Sequence, residues 1–183
     1  FRKKSLSDSP IFIFAASWRT GSTLLQRILN ASGEVFIWGE PAFLPQARAL
    51  YERTRTYFEK VKYNRNRAFA KTVGKWIPVV SPLPEGAIRA LKLFFEELYG
   101  RETIALGLKR WGFKEVRAGA VENIIFLKKL YPQAKFLFLV RNPYDTYKSL
   151  KGKKFHHDFQ NSFEPIDIWS NNVREFFAHE EVQ

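Results

Sequence analysis

The chain is organised around residues 11–29, IFIFAASWRTGSTLLQRIL. Ile11-Phe12-Ile13-Phe14 is an apolar run of β-branched and aromatic residues, which signals a strand. Residues 15–20 form a short polar loop, and Gly21-Ser22-Thr23 opens an amphipathic run with Leu24, Leu25, Ile28 and Leu29 on one face. That run signals a helix. A strand feeding a tight loop and a helix aims backbone N–H groups and the positive end of the helix dipole at one point, where a phosphate-like anion is at home. An ordinary turn with a glycine near a helix start is the other reading, and the stretch alone does not choose between them.

Laid against the phosphate-loop pattern GxxxxGK[ST], Gly21 takes the second glycine and Thr23 the Ser/Thr. Ala16 stands where the first glycine would be and Ser22 where the lysine would be. That lysine bridges the β- and γ-phosphates of a nucleoside triphosphate, so its absence argues against ATP or GTP. Arg19 supplies a cation from inside the loop instead.

A length of 183 residues fits a single domain with a sizeable core, and 18 phenylalanines make that core aromatic. Thirty Lys+Arg against 18 Asp+Glu give a formal charge of +12, which favours anionic ligands over cationic ones. There is no cysteine, so disulfides and thiolate metal sites are excluded while the compartment stays open. No apolar run approaches the roughly 18–20 residues that span a bilayer. A chain that begins at Phe1 and contains no methionine is expected to be a trimmed piece of a longer protein.

Taken in order, residues 1–9 read as polar and loosely ordered, and Asn30-Ala31-Ser32-Gly33 ends the first helix. Val35-Phe36-Ile37-Trp38 reads as a second strand that delivers Gly39-Glu40-Pro41 at its C-terminal end. In open α/β sheets ligands bind at that end. Pro41 holds Glu40 in extended geometry. Residues 45–72 read as largely helical, with Arg48, Arg53, Arg55, Lys60, Lys62, Arg65, Arg67 and Lys71 among aromatic residues. This pattern suits a polyanion-binding face or a helix with a solvated side. Residues 73–86 read as a connector and residues 87–99 as a helix. Residues 111–117 read as a strand and its exit, 121–131 as a helix, and 135–140 as the most buried strand, because it is continuously apolar. A helix over 144–151 and another over 166–177 complete the chain. Strands alternating with helices predict an α/β fold with a parallel sheet and crossover helices.

The strand 135–140 carries the second chemical signal. In phosphate-loop NTPases such a strand delivers an Asp that helps hold Mg²⁺. Here it delivers Arg141, which binds no metal but offers a fork of donors that suits a phosphate monoester. Ser149, eight residues on, lies about two turns into the next helix and can add a hydrogen bond to the same anion. Two anion sites at one sheet edge, with neither the triphosphate lysine nor the metal aspartate, fit a metal-free ligand with two phosphate groups.

These residues carry a resemblance. Arg19-Thr20-Gly21-Ser22-Thr23-Leu24-Leu25 resembles the 5′-phosphosulfate loop of sulfotransferases that use 3′-phosphoadenosine 5′-phosphosulfate (PAPS). Leu139-Val140-Arg141-Asn142-Pro143, with Ser149, resembles their 3′-phosphate motif. Gly39-Glu40-Pro41 is similar to the segment bearing the catalytic glutamate in the tyrosylprotein and carbohydrate-type branches, and it lies 21 residues beyond Arg19 as is typical there. Lys114 resembles a lysine that approaches the transferring sulfonate, with Lys109 and Arg110 as nearby competitors. Cytosolic aryl sulfotransferases place an aromatic after the loop and use a histidine base, whereas here Leu24 and Glu40 stand at those places.

The resemblance implies a three-layer P-loop-like fold, a single domain over residues 1–183 with residues 45–100 as a helical acceptor-side insertion, and PAPS as sulfonate donor with 3′-phosphoadenosine 5′-phosphate (PAP) as product. It implies Glu40 as general base, Arg19 and Lys114 on the sulfonate, and Arg19, Thr20, Gly21, Ser22, Thr23, Arg141 and Ser149 on the donor, with no metal. Many such enzymes continue past the last helix with a loop that closes over the donor; with Gln183 as its last residue, this chain is expected either to be truncated or to build the adenosine side differently. The compartment would be cytoplasmic for a complete chain and the Golgi lumen for an excised one. The acceptor is a small molecule, glycan or peptide with a hydroxyl or amine, and no nucleic acid is expected. His156-His157, adjacent in a polar loop, read as solvated rather than as a base. A kinase with a degenerate phosphate loop and a non-catalytic polyanion-binding module are the other functional classes in view.

Overall fold

The computed structural model describes residues 6–60, 84–151 and 163–182. At its centre lie four parallel strands, β1 (Ile11–Ala15), β2 (Val35–Trp38), β3 (Arg110–Glu115) and β4 (Lys135–Leu139), in the order β2-β3-β1-β4. The helices are α1 (Ser22–Ala31), α2 (Leu44–Lys60), α3 (Pro84–Phe95), α4 (Arg101–Ala105), α5 (Ala120–Leu130), α6 (Pro143–Lys151) and α7 (Glu164–Ala178). A π-helical turn, Glu96–Gly100, joins α3 to α4, and a short 3₁₀ turn, Glu180–Val182, follows α7. The expected α/β architecture is present, with β1 and its loop at the middle of the sheet.

Alternation along the strands sorts side chains onto two unequal faces. Phe12 and Phe14 of β1, Trp111 and Phe113 of β3, and Phe136 and Phe138 of β4 point into the larger core. There they meet Leu44 and Tyr51 of α2, Leu91 and Phe95 of α3, and Val121, Ile124 and Leu127 of α5. Phe12 packs its ring against Trp111, Tyr131, Phe113 and Phe136, the last two at 4.6 and 5.5 Å between centroids. Each fully buried side chain of this size contributes about 2–3 kcal/mol relative to exposure. On the opposite face Ile13, Val35 and Ile37 are covered by Leu25 and Leu29 of α1.

Gly112 belongs to the close pairing of β3 with β1. It is in register with Ile11, and a Cβ there would sit 1.6 Å from the Ile11 carbonyl oxygen. At the far edge α1 completes β2. Asn30 accepts from Ile37 N (2.7 Å) and donates to Ile37 O (3.2 Å), and Gln26 donates to the same oxygen (2.9 Å). The strand that leads to Glu40 is thereby held to the helix that follows the β1 loop.

Several local expectations are corrected. β4 is an edge strand among the described residues, half-exposed rather than the most buried; Leu137 is 37% exposed. Its apolar run is long enough for a central strand, but only β1 lies beside it. Leu24 and Ile28 do not share the packed face of α1 and face solvent. Residues 6–9 are tied down: Ser7 N donates to Lys109 O at 2.8 Å and Ser9 Oγ to Gln133 O at 2.8 Å. α3 starts at Pro84, inside the expected connector, since proline suits the first turn of a helix and Glu85 favours its positive end. In α2, Arg48 pairs with Glu122 and Arg55 with Glu52 and Glu59, so the basic stripe is partly neutralised. Lys62, Arg65, Arg67 and Lys71 of that stripe, most of the connector, and His156-His157 lie outside the described residues.

Candidate functional site

β1 runs into the loop without leaving the sheet at once: Ala16 N still donates to Leu139 O at 2.9 Å. The buried Ser17 then anchors the turn, its Oγ donating to Pro165 O (2.9 Å) and its carbonyl accepting from Thr20 Oγ1 (3.1 Å). Arg19 adopts φ 63, a left-handed conformation that costs a non-glycine residue about 1–2 kcal/mol. Gly21, at φ 100, takes the N-cap position of α1. Among the described residues no side chain caps this helix, and its first turn holds no acid, so none of them opposes the positive end of the dipole. A Cβ built on Gly21 would meet nothing within 4 Å, which leaves open space against the backbone.

The second cation lies against the first loop. Arg141 Nη1 donates to the Arg19 carbonyl at 3.1 Å, and Arg19 Nε donates to Ser149 Oγ at 3.1 Å. Both guanidinium groups belong to exposed residues. Arg141 is placed by the end of β4 and by Trp169, whose Nε1 donates to its carbonyl at 2.9 Å. The left-handed residue therefore has its carbonyl held by one basic side chain while its own basic side chain reaches α6.

Glu40 stands just past the end of β2 with a partner on each oxygen. Lys114 Nζ approaches Oε1 at 2.5 Å, and Arg117 Nη2 approaches Oε2 at 3.4 Å. Arg117 Nη1 also grips both oxygens of Glu115, at 3.1 and 2.9 Å. Glu115 is 1% exposed and accepts from Val116 N and Arg117 N as well. Burial pushes its carboxyl above the usual carboxylate range, against the pull of those N–H groups and the Arg117 charge. Lys109 precedes β3 and Arg110 opens it, whereas Lys114 lies near its C-terminal end beside Glu40, so the strand itself separates the three candidates.

One buried amide ties these parts together. Asn172 Nδ2 donates to Ala16 O (3.0 Å) in the loop after β1 and to Arg117 O (3.2 Å) beside Glu40. Its Oδ1 accepts from Ala120 N at 3.3 Å. The exits of β1 and β3 are thus joined through α7.

Of the residues singled out by sequence, Arg19, Arg141 and Ser149 meet on one rim with Gly21. Ser22 is buried at the start of α1, Thr23 is exposed, and the Thr20 hydroxyl turns inward to Ser17. Glu40 and Lys114 form a pair on the neighbouring strand exits. Sequence reasoning missed Arg117, Glu115, Asn172, Trp169 and Ser17. Signals existed for two of them: Glu115 is a charge inside a strand pattern, and Asn172 interrupts the apolar stripe of the last helix between Trp169 and Phe176. Chemically, the arrangement offers an uncapped helix terminus and two exposed guanidinium groups for anions, and a carboxylate held between two cations. Compared with known proteins, residues 10–182 match the family model described as the sulfotransferase family. No curated protein matches the chain.

Proposed function

The chain belongs to the sulfotransferase family, and from that premise we propose that it moves a sulfonate group from PAPS to a hydroxyl or amine acceptor, with Glu40 as proton acceptor and no metal. The observation that carries the reading is the contact of Arg141 Nη1 with the Arg19 carbonyl, 3.1 Å, which puts two cationic groups and the uncapped start of α1 on one rim. The residues fit a donor with two separate anionic groups: a helix terminus without acid, open space beside Gly21, and exposed guanidinium groups on Arg19 and Arg141.

In this reading the N–H groups around Gly21, Ser22 and Thr23, with Thr20 and Arg19, hold the 5′-phosphosulfate. Arg141 and Ser149 hold the 3′-phosphate, so contacts remote from sulfur orient the reacting bond. The donor supplies an activated sulfonate: as the acceptor's oxygen or nitrogen bonds to sulfur, the bond from sulfur to the 5′-phosphate oxygen breaks and its electron pair leaves with the phosphate. Glu40 takes the acceptor's proton. Lys114 and Arg19 stabilise the charge that grows on the sulfonate and leaving oxygens. The acceptor is a small molecule, glycan or peptide.

Calorimetry tests the donor assignment. PAP should bind at least tenfold more tightly than ATP·Mg, and Arg141→Gln should remove most of that preference. ATP·Mg binding as well as PAP would reject the donor and favour a kinase-like site.

A further inference from the structure

Arg117 has no part in the reading above, yet it joins both carboxylates of the site. Its Nη1 is bound bidentately to the buried Glu115, and its Nη2 lies 3.4 Å from Glu40 Oε2. Its backbone is held as well: N donates to Glu115 Oε1 at 3.1 Å, and O accepts from Asn172 at 3.2 Å. A guanidinium held through Nη1 and at its own main chain presents Nη2 to Glu40. A planar guanidinium already held through one nitrogen loses little further freedom when the other bonds.

The rest of the geometry shows why Glu40 needs a second partner. Its shorter contact is to Lys114, at 2.5 Å. The proposed reaction asks Lys114 to serve the sulfonate. A lysine drawn toward that charge leaves Glu40, and without a second cation beside it the released carboxylate would be free to rotate off the acceptor. We propose that Arg117 is the positioning residue that keeps the Glu40 carboxylate aimed at the acceptor when Lys114 turns to the sulfonate, with Glu115 as the anchor that sets the guanidinium. The inference rests on Glu40 being the proton acceptor.

Sulfate release from PAPS in water tests it without any identified acceptor. Water oxygen bonds to sulfur, the bond from sulfur to the 5′-phosphate oxygen breaks with its electron pair, and the proton of water goes to Glu40. Arg117→Ala should lower kcat by about 10–100-fold, the cost of a misaimed proton acceptor. The KM for PAPS and the affinity for PAP should stay within about twofold, and Arg117→Lys should recover part of the loss. In a Glu40→Gln background Arg117→Ala should cost less than about twofold, since the two residues act as one unit. An equal loss in both backgrounds, or a loss confined to KM, overturns the proposal.

Arg117→Ala also strips the buried Glu115 of its cation. Should that variant fail to fold, the Glu115→Gln/Arg117→Gln pair carries the same comparison. A crystal structure of Lys114→Ala with PAP gives an independent check: Glu40 should remain against Arg117, and a carboxylate swung to solvent overturns the proposal. Wild-type turnover by Glu40→Gln would instead remove the proton-acceptor role itself, and absent PAP binding would remove the donor assignment.

Discussion

Glu115 is where residue chemistry and stability meet. Burial raises its carboxyl above the usual range, so the folded chain holds this proton more tightly than the unfolded chain. Stability from that proton is fully present below the unfolded pKa and is lost as pH rises through the raised folded one. The Arg117 charge and the N–H groups of Val116 and Arg117 offset part of the cost, while the Glu40 carboxylate, itself paired with Lys114 and Arg117, adds to it. Wild type should therefore lose melting temperature relative to Glu115→Gln as pH climbs from the ordinary glutamate range toward neutrality. Parallel curves in thermal scans from pH 4 to 7 would show that the Glu115 charge is fully compensated. Arg19 shows the limit of reading single residues: its place in the loop was legible, but its left-handed backbone and its hold on Ser149 were not.

At the scale of elements, α7 does what its sequence only partly announces. The apolar stripe predicted a helix over 166–177, and α7 spans Glu164–Ala178. What the stripe did not disclose is that this helix fastens three strand exits: Pro165 O receives Ser17, Trp169 reaches Arg141, and Asn172 bridges Ala16 and Arg117. Asn172→Ala would leave buried groups at Ala16, Arg117 and Ala120 without this partner, at a cost of about 2–4 kcal/mol. For a chain of this size that is a fall in melting temperature of about 5–15 °C. A fall of under a degree, measured by calorimetry, would mean other groups or water replace the amide. The short strands were equally legible from their apolar runs. The burial of β4 was not, because an apolar run does not say whether a strand has one neighbour or two.

For the whole molecule, the formal charge of +12 pointed to anionic ligands, and the fold gathers part of that charge at the C-terminal edge of the sheet. No helix among the described residues is long and apolar enough to cross a membrane. A donor bound across the β1 and β4 exits would link the loop, α6 and α7. Such a ligand stabilises the folded state by about 2.7 kcal/mol at a concentration 100 times its Kd. PAP at that excess should raise the melting temperature by about 5–10 °C, and the same concentration of 5′-AMP, which lacks the 3′-phosphate, should raise it less. Equal shifts would show that the 3′-phosphate contributes nothing and that Arg141 serves only to brace the Arg19 carbonyl.

The sequence by itself determined the order of the four strands and of the helices other than α4, the loop between β1 and α1, and the placement of Glu40 and Arg141 just beyond strand ends. These are local properties: side-chain period, glycine and proline position, and the residue that follows an apolar run each act within a few residues. The tertiary structure alone decided that β1 lies between β3 and β4, that Arg141 touches the Arg19 carbonyl, and that Arg117, Glu115 and Asn172 brace the site. A buried polar group must find its partner across space wherever the packing leaves one. No periodicity records which partner that is.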